Sequence, residues 1–219
     1  QTSGSGKLVA KGKSYAAGIG ASSDESGGII TINGGTIETE GGQGSGISAS
    51  FGGAGIGSGS VDAHKPATNG GVITINGGTV TAKGGPCAAG IGGGTQSAGG
   101  TIAINGGAVK ATGAGDLNSP DKDGGAGIGG GYSADGGTVR ITGGQITAQA
   151  VNDAAGIGPG SHYWVDAAEG QVFGGAVALF LSRIADFVLA NTYKNDHGVR
   201  PSISVTYPDG SDASVRDSE

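Results

Sequence analysis

The stretch DLNSPDKD gathers four oxygen-bearing side chains, Asp116, Asn118, Asp121 and Asp123, into one short segment. Hard oxygen donors at near-alternate positions of a loop suit Ca²⁺. The stretch lacks the glycine and the closing glutamate of an EF-hand loop, so a solvated acidic loop competes with the calcium reading. A second group is aromatic. SHYWVD (161–166) holds the only tryptophan, Trp164, directly after His162 and Tyr163, and Tyr132 stands in an earlier loop. Flat rings on loops are the groups suited to stacking on sugars, and these four residues are the expected glycan contacts. The competing role for Trp164 is to cover the last packed layer of the fold. His64, His162 and His197 are too scattered to form a ligand set, and Cys87 is alone, which excludes an internal disulfide and a cysteine-based zinc site.

What positions these residues is a repeat. The chain has 52 Gly among 219 residues and only 6 Pro, with no Gly-X-Y period, so it is not collagen-like. Ile and Val recur at fixed offsets, unlike a disordered linker. Ala-Gly-Ile-Gly occurs at 17–20, 54–57, 89–92, 126–129 and 155–158, with its isoleucines 37, 35, 37 and 29 residues apart. Between these motifs run GGIITINGGTIETE, GGVITINGGTVTAK, GGTIAINGGAVKAT and GGTVRITGGQITAQ, and KLVAK (7–11) aligns with the end of the second as a truncated first copy.

Each copy therefore holds three short extended segments. The first has the form Ile-Thr-Ile, with Ile30 and Ile32, Ile73 and Ile75, Ile102 and Ile104, Val139 and Ile141 facing inward. The second has the form Val-Thr-Ala. There Leu8, Ile37, Val80, Val109 and Ile146 lie two residues before Ala10, Thr39, Ala82, Ala111 and Ala148, on the same side of a strand. The third is Ala-Gly-Ile-Gly itself. Such short strands bury nothing alone, but stacked copies give each Ile an identical neighbour above and below. The expected fold is all-β, a three-faced parallel β-solenoid (β-helix) of about four to five coils, ~4.8 Å per coil, with a C-terminal cap.

Glycine pairs at 34–35, 77–78, 106–107 and 143–144 should turn the corners, one of each pair with positive φ. Asn33, Asn76 and Asn105 precede them and should stack as an amide ladder, with Thr142 fourth. Long insertions fall at 41–53, 113–125 and 60–69, and such loops on a repeat scaffold are where binding sits. The solenoid is expected to fill 1–164. Residues 165–219 then form the cap and the start of a following segment, and Val177, Phe180, Leu181, Ile184, Phe187 and Val188 favour a helix over last strands within 165–195.

The faces carry little chemistry. Outward positions read Thr31, Thr74, Ala103 and Arg140 on one face and Val9, Glu38, Thr81, Lys110 and Thr147 on another. One glutamate and one lysine two coils apart make no acid–base pair, and the same charges break the Thr array an ice-matching surface needs. The third face offers only glycines outward, either because its corner needs positive φ or because a backbone or flat ligand approaches it. GIGGG (90–94, 127–131) resembles a phosphate loop but no Gly-Lys-Ser/Thr follows. The net charge of -6 argues against nucleic acid and anionic membranes as partners, and no apolar run is long enough to span a bilayer.

The repeats GGVITINGGTVTAKGG and CAAGIGGG resemble the Gly-rich repeat regions of multi-module, adhesin-like surface proteins of Gram-positive gut bacteria, over residues 7–160. That resemblance implies a secreted, cell-wall-attached location and contact with host or dietary glycans or a host surface protein. A non-catalytic stalk or adhesin-like module is the expectation. The alternative is a carbohydrate-active β-helix enzyme, of polysaccharide lyase or glycosidase type, with a site built by loops 41–53, 113–125 and 161–166. The chain opens at Gln1 in mid-repeat, so targeting and anchoring segments are expected in flanking regions.

Overall fold

A computed structural model describes residues 6–45, 50–62, 64–117, 123–152 and 154–161, together with four further strands at 175–180, 187–189, 203–206 and 212–214. The first coil consists of β1 (Lys7–Lys11), β2 (Ile19–Gly20) and β3 (Ile29–Ile32). The same order recurs in β4 (Thr36–Glu40), β5 (Ile56–Gly57) and β6 (Val72–Ile75), then in β7 (Thr79–Lys83), β8 (Ile91–Gly92) and β9 (Thr101–Ile104). Two more coils complete the stack: β10 (Ala108–Thr112), β11 (Ile128–Gly129) and β12 (Gly137–Ile141), then β13 (Gln145–Gln149), β14 (Ile157–Gly158) and β15 (Gly175–Phe180). Like strands stack in parallel, giving a Val-Thr-Ala sheet β1-β4-β7-β10-β13, an Ala-Gly-Ile-Gly sheet β2-β5-β8-β11-β14 and an Ile-Thr-Ile sheet β3-β6-β9-β12-β15. The chain is a three-faced parallel β-solenoid.

The registers track the hydrophobic rows. Leu8, Ile37, Val80, Val109 and Ile146 are successive Cα partners, as are Ile19, Ile56, Ile91, Ile128 and Ile157. In the middle coils these side chains are buried, Ile56, Ile73, Ile91, Ile102 and Ile128 completely. A slip by one residue would put every one of them in water, so the pattern fixes the register.

At the corner between the Ile-Thr-Ile and Val-Thr-Ala sheets the second glycine of each pair is left-handed: Gly35 (φ 86), Gly78 (φ 92), Gly107 (φ 92) and Gly144 (φ 103). The asparagines before them keep ordinary φ and form the ladder. Asn76 Nδ2 donates to Asn33 Oδ1 and Asn105 Nδ2 to Asn76 Oδ1, both at 2.8 Å, and Thr142 Oγ1 donates to Asn105 Oδ1 at 2.9 Å.

The described residues within 165–195 are strands and not the expected helix. That stretch holds β15 and β16 (Phe187–Leu189), which extend the Ile-Thr-Ile and Val-Thr-Ala sheets. Val177 and Leu179 take the register of Val139 and Ile141. A helix leaves the N–H and C=O row of an open sheet edge without partners, whereas a further strand satisfies it. β17 (Ile203–Thr206) adds to β15 in parallel, and β18 (Asp212–Ser214) turns antiparallel on β17.

Candidate functional site

Beyond the first coil, where Gly20 is exposed, the glycine-only face is not open. Each Ala-Gly-Ile-Gly is a tuck: the chain enters from outside, dips its Ile into the core and returns. The Ala N–H closes the tuck on the carbonyl four residues later, Ala54 on Ser58, Ala89 on Gly93 and Ala126 on Gly130, at 2.9–3.0 Å. The returning glycine, Gly57 (φ 136), Gly92 (φ 125) or Gly129 (φ 136), adopts a backbone that only glycine takes readily. A Cβ on Gly92 would sit 2.1 Å from the Gly129 carbonyl oxygen. Gly57, Gly92, Gly129 and Gly158 are buried, so the backbone approaching this stripe is the chain's own.

The segments flanking each tuck fold over it and join in a seam. Ser60 N–H donates to the Tyr15 carbonyl, Thr95 to Gly52, Tyr132 to Cys87 and Ser161 to Gly124, at 2.8–2.9 Å, each bond tying one coil to the coil before it. Hydroxyls complete the seam. The Gly52 N–H donates to Thr95 Oγ1 at 2.9 Å and the Gly124 N–H to Ser161 Oγ at 2.6 Å. Thr95 and Ser161 are fully buried. Inside the same layer, Ser97 Oγ lies 2.7 Å from Ser58 Oγ and 2.8 Å from Thr68 Oγ1, which anchors the 60–69 insertion.

The segment before the tuck alternates. The first, third and fifth coils make tight turns in which Ala16 donates to Lys13, Ala88 to Gly85 and Ala154 to Val151, with left-handed Tyr15, Cys87 and Asn152. The second and fourth coils carry the insertions 41–53 and 113–125 as hairpins, closed by the antiparallel bridges Gln43–Gly52 and Gly115–Gly124. The two hairpins reach each other across the third coil: Ser50 Oγ donates to Asp116 Oδ1. The outer coils hold them too. The Ser45 N–H donates to the Tyr15 hydroxyl at 3.2 Å, and Asn152 Nδ2 donates to the Asp123 carbonyl at 2.8 Å.

Cys87 lies in this corner, in the turn of the third coil. It is 2% exposed. Burial pushes its thiol far above the ordinary value, and the Asp116 and Asp123 carboxylates add to the effect. The site is therefore a closed corner around a neutral thiol, with the two aspartates at the neck of one hairpin, where the Asp116 N–H donates to the Asp123 carbonyl at 2.9 Å. Tyr132, partly exposed, stands across the seam, and the next residue, Ser133, donates to the Ser161 carbonyl at 2.8 Å. Asn118, Asp121, His162, Tyr163 and Trp164 lie outside the described residues. Among the described residues no three His, Cys, Asp or Glu side chains are grouped to hold a metal ion.

Two hydrogen bonds link the described parts of loops 41–53, 113–125 and 161–166, Ser50 to Asp116 and Gly124 to Ser161. Sequence reading missed Ser50, Ser161 and the buried state of Cys87. The available signal was the placement of both long insertions at the same offset, two coils apart. Residues 73–95, 102–132 and 135–161 match a family model described as a beta helix repeat. No curated protein and no solved structure matches the chain. Each matched segment runs from an Ile-Thr-Ile strand through a Val-Thr-Ala strand to a tuck, so repeat model and architecture agree on a parallel β-helix.

Proposed function

We propose that this chain is a non-catalytic module of an extracellular, cell-wall-attached surface protein, a stiff stalk or adhesin-like element that contacts glycans through its corner loops. The observation carrying the proposal is the doubled wall. Three parallel ladders enclose an apolar Ile core, and the seam and the asparagine ladder bind successive coils again from outside. Such redundancy suits transmission of load along a rod better than it suits a site that must move. The glycan part is supported by Tyr132, a partly exposed aromatic in a seam turn.

A glycan array with the parent chain, Tyr132→Ala and Trp164→Ala tests the binding reading. Loss of a specific hit in either variant, with the fold intact, is the expected result, and an array without any hit removes the glycan contact. Chelator in the same buffer tests calcium at Asp116, Asn118, Asp121 and Asp123, since a calcium-dependent loop loses its ligand with the metal. Release of new reducing or unsaturated ends from bound polysaccharide would instead establish the carbohydrate-active enzyme.

A further inference from the structure

A shallow, open groove of about 660 Å³ runs along the rod where the layer over the tucks meets the Ile-Thr-Ile sheet. It crosses four coils, and each coil supplies the same trio in order. Ser26, Asn69, Ala98 and Asp135 form one rim, Gly28, Gly71, Gly100 and Gly137 the floor, and Ile29, Val72, Thr101 and Thr138 the other wall. The floor glycines are all left-handed, φ 70, 80, 76 and 71, which keeps them without side chains. The wall is a row of β-branched residues, each bearing a γ-methyl, at ~4.8 Å intervals. Ile29 is 85% exposed and Val72 45% exposed, a placement that costs hydration and that a ligand with an apolar face would relieve.

We propose that this groove binds a neutral, linear oligosaccharide lying along the solenoid axis, with ring faces on the Ile29–Thr138 wall and hydroxyls on the Ser26–Asp135 rim. The idea rests on the glycan part of the proposed function and adds a second contact, on the regular repeat, to that of the corner loops. Three features select this class. The floor main chain is already bonded along the axis: Val72 N–H donates to Gly28, Thr101 to Gly71 and Thr138 to Gly100, each at 2.8 Å, so an added peptide strand finds little to pair with. The groove repeats with the coil, which suits a polymer of like units rather than a single compact ligand. No Lys or Arg is among its lining residues, so it offers no cation to an anionic polymer, and a neutral one needs none. Asn69 Oδ1 is taken by the Gly71 N–H at 2.8 Å, and Ser26 Oγ accepts from the Asn69 N–H at 3.3 Å, which leaves the Asn69 amide nitrogen and the Ser26 hydroxyl as rim donors.

Titration calorimetry with cello-, xylo- and manno-oligosaccharides of increasing length tests the proposal, with oligogalacturonate as the anionic control and a basic extended peptide as the other polymer. Affinity for one neutral series should rise with length and level off once the chain spans the groove, and the anionic series should stay silent. Ile29→Ser and Val72→Ser, at exposed positions, should each weaken binding by about tenfold with unchanged melting, and Tyr132→Ala should leave it intact. Four outcomes overturn the groove: silence from every neutral series, equal binding of oligogalacturonate, Ile29-dependent binding of the peptide alone, or neutral binding lost in Tyr132→Ala but kept in Ile29→Ser. The last of these assigns that binding to the loops, whereas silence removes the groove and leaves the loop contact to the glycan array.

Discussion

At the residue scale, neighbouring positions of like type have opposite tolerances. Gly78 is left-handed and a Cβ there would meet the Gly35 carbonyl at 2.5 Å, whereas a Cβ on Gly77 meets only the Asn33 carbonyl at 3.4 Å. Gly78→Ala should therefore cost ~1–3 kcal/mol and Gly77→Ala should be neutral or gain a few tenths, as read by urea unfolding. Thr39 stands in a row of alanines, 6% exposed, with no hydrogen-bond partner for Oγ1. Thr39→Val keeps the shape and removes the buried hydroxyl, so it should raise stability by ~1 kcal/mol; a loss would show that the hydroxyl is satisfied after all. The glycine and asparagine rows were legible in the sequence because one side chain at one offset implies one backbone state. Cys87 was not. Its count excluded a disulfide, but its burial depends on turns and hairpins from other coils.

Among the elements, the tuck is where sequence reading and structure part most. The spacing of Ile91 correctly places it inside, and Ile91→Ala should open a cavity costing ~2–5 kcal/mol, against less than ~0.5 for the exposed Thr81→Ala. The glycines beside Ile91 read equally well as an exposed stripe, because periodicity reports which side a residue faces and not what lies beyond it. Seam residues carry that second layer. Thr95→Val removes the acceptor for the buried Gly52 N–H and should cost ~1–3 kcal/mol, while Thr81→Val at the exposed face should cost nothing. Proton linkage gives a separate test of the closed corner. The thiol of Cys87 is raised in the folded chain above its ordinary 9.0, so an unfolded chain loses that proton first. Stability is then full below about pH 9 and falls as pH rises beyond it. Cys87→Ala should flatten the alkaline fall, and a thiol reagent at neutral pH should label the parent only after unfolding.

Across the whole molecule, the first described coil contrasts with the coils behind it. Leu8 is 47% exposed, while its stacked equivalents Val80 and Val109 are buried, and the outward Val9 beside it is 65% exposed. Lys7 and Lys11 flank them on β1 and pair with Glu38 and Glu40 of the next coil at 2.9 and 3.0 Å. Exposed ion pairs of this sort add little to stability. The alternation of turn and hairpin has a consequence for how such a chain can grow. Because Ser50 reaches Asp116 only by passing over a coil with a tight turn, the self-consistent unit is a pair of coils, and length has a parity. Excising residues 77–105, one coil of 29 residues, would leave every Ile row in register yet bring two hairpins onto adjacent coils. That chain should fold less stably than its residue count predicts, whereas duplicating a coil pair should lengthen the rod without penalty, so rods of this type would gain or lose coils by twos.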